Sequence, residues 1–313
     1  MTDERFALAT GPLPLRAIVD AAREAERLGY EAVLVGEGGM QVDAFVASAA
    51  VLQATSRVRC GPGIANVVER HPVALARGAA ALDRLAPGRA LLGIGRGDAT
   101  WVARLGAPRV AAAALEDAVR TCRDLLANIV AEQGKVHTVA DSASNPGAGD
   151  GAGIEAAGAP ANPVPLLLAA VGPRTLRLAG ALADGVLLNY GAPVEYVRWA
   201  LGEVAAGART AGREPGEVDV FGFLFVVRTD APEGPERLER LGGELAALHA
   251  EPGEGRWLTA QVGAPPRWDD GAVRRFAVVG TREECLRRIA EYREAGVRCP
   301  VLLPTAMRSL HGS

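Results

Sequence analysis

This chain of 313 residues has almost no lysine: Lys135 is its only one, and arginine carries the rest of the positive charge. Aromatic residues make up 4% of it, and its four histidines are His71, His137, His249 and His311. The histidines form no HExxH or other paired ligand spacing, so no metal site is expected. Four cysteines, Cys60, Cys122, Cys285 and Cys299, include no CxxC pair. That excludes a disulfide scaffold or zinc ribbon and suits buried thiols in a reducing cytoplasm. No apolar run reaches the roughly 20 residues of a membrane helix, and the N-terminus is acidic where a secretory signal is basic. A net charge of −3 without an arginine stripe argues against nucleic acid as a partner. The expectation is a cytoplasmic protein with no membrane and no nucleic-acid partner, acting on a small molecule.

What the chain does have is apolar volume and rhythm. Hydrophobic residues make up 49% of it, drawn mainly from Ala, Val, Leu and Ile, enough for a large core without staples. Short apolar runs alternate with segments of helical period. Strands are expected at 6–10, 31–35, 58–61, 89–94, 164–170, 185–189, 218–227 and 301–303. Helices are expected at 15–28, 44–54, 73–85, 112–130, 174–183, 194–211 and 281–295. Gly29 ends the first helix and Pro72 opens the third. Residues 134–163 carry no period and read as a long loop, and 231–275 read as an irregular, partly helical insert.

Eight strands alternating with helices predict an α/β fold, a (β/α)8 TIM barrel with insertions in the loops at its C-terminal face. A doubly wound open sheet is the competing arrangement. No composition shift marks a boundary, so residues 1–313 are read as a single domain, with inserts near 134–163 and 229–275.

Three glycine-punctuated segments fall where a strand hands over to a helix: Gly61-Pro62-Gly63-Ile64-Ala65-Asn66, Gly93-Ile94-Gly95-Arg96-Gly97-Asp98 and Ala170-Val171-Gly172-Pro173-Arg174-Thr175. Glycine serves where backbone must come close to a neighbour or a ligand. In a barrel all three lie on the catalytic face. The third opens a helix, whose free N–H groups suit a phosphate, with Arg174 as a forked donor; an ordinary strand-to-helix turn is the plainer reading. The second is GxGxG rather than GxGxxG, which counts against a dinucleotide fingerprint. Glu37, in Val35-Gly36-Glu37-Gly38-Gly39, is the candidate catalytic carboxylate, able to accept a hydrogen bond from a ligand or transfer a proton. A solvated loop carboxylate is the alternative. His71, between Arg70 and Pro72, is read as a loop or phosphate-side residue rather than a base.

Together these segments resemble the bacterial luciferase-like superfamily, in particular its methylenetetrahydromethanopterin reductase branch. The resemblance is carried by Gly61 to Asn66 with Arg70 and Pro72, by Ala80-Ala81-Leu82-Asp83 with Gly88-Arg89, and by Gly93 to Asp98. It continues through Gly172-Pro173, Ala179-Gly180, Ala183-Asp184-Gly185 and Val278-Val279-Gly280-Thr281. It implies a barrel that binds the deazaflavin coenzyme F-420, or alternatively FMN, on its C-terminal face. The implied coenzyme residues are Gly36, Gly63, Ile64, Ala65, Asn66, Gly95, Arg96, Gly97, Ala170, Val171, Gly172, Pro173, Arg174 and Thr175. It implies a non-prolyl cis peptide at Gly63–Ile64 beneath the ring and the coenzyme phosphate at 172–175. The implied activity is hydride transfer between the deazaflavin and a small organic substrate, reducing C=C or C=N bonds or the reverse. The alternatives are an FMN-dependent monooxygenase and a non-catalytic flavin-binding relative. A homodimer or higher homo-oligomer is implied as well. Two positions depart from the branch. Gly36-Glu37-Gly38 replaces its Thr-Asp-His, and Ala9 stands where the reductase has a first-strand glutamate.

Overall fold

Each apolar run of four or five residues buries both faces, and each helix that follows buries one stripe. The arrangement that satisfies both is a parallel barrel inside a ring of helices. The computed structural model describes residues 4–37, 42–97, 99–108, 110–131, 135–136, 154–155, 160–251 and 255–304. Its elements in chain order begin β1 (Ala7–Thr10), α1 (Leu15–Arg27), β2 (Ala32–Val35), α2 (Ala44–Ala54), β3 (Arg59–Pro62), β4 (Ala65–Asn66) and α3 (Pro72–Leu85). They continue β5 (Leu92–Gly95), α4 (Ala99–Arg104), α5 (Ala112–Ala131), β6 (Lys135–Val136), β7 (Ile154–Glu155), β8 (Leu166–Ala170), α6 (Pro173–Leu182) and β9 (Gly185–Leu188). The last are α7 (Val194–Thr210), β10 (Asp219–Arg228), α8 (Gly234–Ala250), α9 (Gly255–Leu258), α10 (Asp270–Phe276), β11 (Val278–Gly280), α11 (Arg282–Glu294) and β12 (Cys299–Pro304).

The barrel staves run in the order β3, β2, β1, β12, β10, β9, β8, β5, β4, all paired in parallel. Because β4 continues β3 after a two-residue break, the ends of that order meet. A parallel bridge between Cys60 and Ala90 closes the ring, with Leu91 N–H donating to Cys60 O at 3.1 Å. Every expected strand is therefore a stave of one closed barrel, and the open-sheet alternative is excluded.

The core has two layers. Inside the barrel Ala7 and Ala9 of β1 share the space with Leu34, Leu167, Leu187, Phe221, Phe225 and Val301. Alanines on one strand balance phenylalanines on another, which keeps the interior volume filled. Outside it, Ile18, Ala22 and Ala25 of α1 and the matching stripes of the other helices cover the strands. Helices α6 and α7 pack backbone to backbone. A Cβ at Gly180 would lie 2.0 Å from Val204 O, and one at Gly207 would lie 2.0 Å from Arg177 O.

Several motif residues prove to be struts. Asp83, 1% exposed, accepts from Gly88 N at 2.8 Å and Asn162 N at 2.7 Å, tying the end of α3 to the approach to β8. Arg89 caps the end of α2, donating to Leu52 O at 2.6 Å and Val58 O at 3.2 Å. Asp184 accepts from Leu166 N at 2.8 Å, and Arg213 binds the last carbonyls of α6 at 2.8 and 2.9 Å. At the N-terminal rim Arg5 bridges Glu31 and Asp219, joining β1, β2 and β10.

The structure adds elements that periodicity alone does not reveal. Residues 135–136 and 154–155 form a small antiparallel pair within the segment expected to be loop; residues 137–153 and 156–159 lie outside the described ones. In the second insert, α8 is a regular helix of 17 residues. Gly242 sits within it where a Cβ would be 3.1 Å from Trp268 O, so tertiary packing uses the missing side chain. A short strand, β11, extends the sheet beside the upper half of the ten-residue β10.

Candidate active site

The strand ends at Gly36–Glu37, Gly63–Asn66, Gly95–Gly97 and Ala170–Thr175 all open on the C-terminal face, because the staves are parallel. The peptide Gly63–Ile64 is cis. Gly63 N–H donates to Val35 O at 2.8 Å, placing this segment directly beside Gly36 and Glu37.

The glycines have a packing reason first. A Cβ at Gly93 would lie 2.5 Å from Pro62 O, and one at Gly63 would lie 2.6 Å from the Leu34 Cβ. At Gly95 a Cβ would meet Ile64 Cδ1 at 3.1 Å and Ala169 Cβ at 3.2 Å. Ile64, Gly95 and Ala169 thus converge from three staves into one apolar platform at the top of the barrel. Gly97, at φ +78°, would set a Cβ 2.9 Å from that of Asn66. Only glycine adopts that conformation at no steric cost.

Asn66 spends its amide locally. Its Oδ1 accepts from Val68 N at 3.0 Å and Glu69 N at 2.8 Å, and its Nδ2 donates to Glu69 Oε1. The Trp101 indole N–H donates to the same Glu69 oxygen, fastening α4 over this loop. Ala65, Ala170 and Val171 are buried, and Arg96 is half-buried. The Val171 carbonyl accepts the Tyr196 hydroxyl at 2.7 Å.

At the third segment Gly172 precedes α6, with Pro173 at its first position, and no side chain caps the turn. Thr175 Oγ1 donates back to Gly172 O at 3.0 Å. Arg174 is exposed and makes no ion pair among the described residues. An open helix start beside an unspent guanidinium is electrostatically suited to an anion. Trp257 of α9 lies over this end: a Cβ at Gly172 would be 3.0 Å from its indole nitrogen. The ring stacks on Trp199 at 6.1 Å with planes 9° apart, and the Arg256 guanidinium lies 4.8 Å from its centroid. Sequence reading gives Trp257 no role, since it comes from an insert without period.

Glu37 sits two residues past β2 with its side chain 7% exposed. Its Oε1 accepts from Arg70 Nε at 3.1 Å and Nη2 at 2.9 Å. Arg70 also pairs with Asp43, which caps α2. Burial opposes the Arg70 charge, and its two carboxylate partners more than offset this, so its pKa is raised. Glu37 is therefore a buried, paired carboxylate, not a solvated one. His71, beside it, accepts from Val73 N at 3.3 Å as the N-cap of α3, so it serves the helix.

The second insert is latched to the face through His249 of α8. Its Nε2 donates to Gly191 O at 2.9 Å, just beyond β9, between the rings of Trp268 and Phe276, each with its centroid 4.8 Å away. Nδ1 is buried without a partner among the described residues. Burial pushes this imidazole down from the ordinary 6.5 to about 4. The folded protein thus favours the neutral ring. Stability from this group is complete above the unfolded value and is lost as pH falls from 6.5 toward 4. Melting temperatures across that window should fall in the natural protein, and the fall should be shallower in His249→Gln. Equal slopes would show that His249 does not couple the insert to pH.

A closed (β/α)8 barrel with an apolar platform, a buried carboxylate and an uncapped helix start on one face has the layout of a candidate barrel enzyme site. The chain belongs to the luciferase-like monooxygenase family, whose model matches residues 1–299. It is 28% identical over 308 residues to a 5,10-methylenetetrahydromethanopterin reductase of Methanolobus tindarius, covering 91% of this chain and 89% of the relative. It is 27% identical over 301 residues to an F-420-dependent glucose-6-phosphate dehydrogenase of Kribbella flavida, covering 90% and 86%. Among solved structures, an F-420-dependent secondary alcohol dehydrogenase in complex with an F-420-acetone adduct superposes with a TM-score of 0.77 at 20% identity, covering 97% of this chain and 94% of that one.

Proposed function

We propose that this chain is an oxidoreductase that transfers a hydride between coenzyme F-420 and a small organic substrate. The observation that carries the reading is the Ile64–Gly95–Ala169 platform on the same face as the uncapped start of α6. The residues fit the coenzyme: a flat apolar ring needs an apolar surface without polar side chains, which Ile64, Gly95 and Ala169 supply, and a phosphate needs donors such as a helix start offers. When bound, the deazaflavin would give or accept the hydride at carbon 5. Ile64, Gly95 and Ala169 would support the ring. Backbone N–H groups of Arg174 and Thr175, with the Arg174 guanidinium, would take the phosphate. Trp257 and Tyr190, half-buried near the mouth, would exclude water from the reacting centre. Glu37 would offer the ring or substrate a hydrogen-bond acceptor.

The names of the relatives support the coenzyme more than any one substrate. Ala9 lies inside the barrel at 5% exposure, a methyl where the resemblance expects a glutamate in the reductase. The substrate is accordingly read as a small organic molecule other than methylenetetrahydromethanopterin. Four buried cysteines without a disulfide fit a reducing cytoplasm, and the family resemblance supports a homo-oligomer.

Titration with F-420 and with FMN tests the reading directly. F-420 should bind, and Arg174→Ala should weaken it about tenfold by removing a charge-assisted contact. Binding of FMN without F-420 would overturn the deazaflavin in favour of the flavin. Unchanged affinity in Arg174→Ala would remove that residue from the phosphate site.

A further inference from the structure

We propose that Arg70 is a positioning residue for Glu37, dictating which oxygen of the carboxylate meets the ligand; this rests on the coenzyme reading above. Arg70 directs two donors, Nε at 3.1 Å and Nη2 at 2.9 Å, onto the single oxygen Oε1. A guanidinium only donates. Oε1 is thereby an acceptor twice over. The second oxygen, Oε2, is buried and has no hydrogen-bond partner among the described residues. A buried acceptor to which no described residue donates is a place for a donor from a ligand. The ligand group that meets it is therefore an N–H or O–H donor.

The guanidinium cannot drift from this task. It is bonded to Asp43, whose Oδ1 is fixed by Phe45 N at 2.9 Å and Val46 N at 3.0 Å. Its centre lies 4.9 Å from the centroid of the Phe45 ring. The N-terminus of α2, the approach to α3 and the end of β2 thus hold one carboxylate in a single orientation. Glu37→Gln keeps an oxygen for Arg70 and puts an NH2 in the place of Oε2, setting donor against donor. Arg70→Ala releases both oxygens, and the carboxylate is free to turn.

The test is a double-mutant cycle read as the dissociation constant of purified F-420 by fluorescence, with melting temperatures taken alongside. Arg70→Ala and Glu37→Gln should each weaken binding about tenfold. The double variant should bind no more weakly than Glu37→Gln alone, because Arg70 acts only through that carboxylate. Added guanidinium ion should restore affinity in Arg70→Ala but not in the double variant. Arg70→Lys, which keeps the charge and loses the paired donors, should fall between, and it carries the cycle if the alanine variant does not fold. Losses that multiply in the double variant, or rescue of it by guanidinium, overturn the role of Arg70 while leaving the coenzyme reading intact. Failure of the unsubstituted protein to bind F-420 overturns both.

Discussion

Gly61→Ala should abolish folding or cost more than about 4 kcal/mol, well above the usual range for adding one methyl to a packed interior. Its Cβ would fall 1.9 Å from Leu91 O and 2.6 Å from Leu91 C, which are backbone atoms of the neighbouring stave with no rotamer to change. The clash lies at the seam of the barrel. Cys60, one residue away, makes the bridge to Ala90 and accepts from Leu91 N at 3.1 Å. Relieving the methyl means parting the strands that close the ring. Gly202→Ala is the matched control: it lies exposed in α7 with nothing within 4 Å of its added Cβ. There the change should stabilise by up to about 1 kcal/mol, the intrinsic helical preference of alanine. Soluble yield and urea unfolding of both variants check the pair. A Gly61→Ala protein that unfolds near the natural midpoint would show that the seam can widen.

Asp83→Ala should destabilise by about 3 kcal/mol, because a buried acceptor serving two backbone donors disappears. Gly88 N and Asn162 N lose their partner together, and the site has no room to rearrange at 1% exposure. The second bond spans 79 residues. It holds the start of the chain's return to β8 against the end of α3. Asp83→Asn should recover part of the loss, since its amide oxygen still accepts from one donor. The urea midpoint should fall with the slope unchanged if the barrel stays two-state. Coenzyme affinity, measured where each variant is folded, should be nearly unaltered. A large loss of affinity at full stability would move Asp83 from the frame into the site.

These two residues show how the family-like segments divide. Gly61 and Asp83 belong to motifs that mark the resemblance as strongly as Gly172 or Pro173 does, yet their contacts are internal. Gly180 and Asp184 act likewise, the one admitting α7 against α6 and the other accepting from Leu166 N. A motif in a single sequence records that a position is constrained, and packing and binding constrain it in the same letters.

The sequence by itself determined the alternation of strands and helices, the eight staves, and the location of the glycine segments at strand ends. Those features are local: a stave buried on both faces leaves a short apolar run, a helix buried on one face leaves a period of 3.6, and a helix start or a tight backbone approach leaves Pro or Gly. The cis Gly63–Ile64 peptide was legible only through the resemblance. Tertiary structure alone decided that Glu37 is paired rather than solvated, since Arg70 lies 33 residues further on. It alone brought Trp257 over Gly172 and made a regular helix of 234–250 within an insert read as irregular and partly helical. Contacts between distant residues depend on how the staves close, and closure leaves no period in the chain.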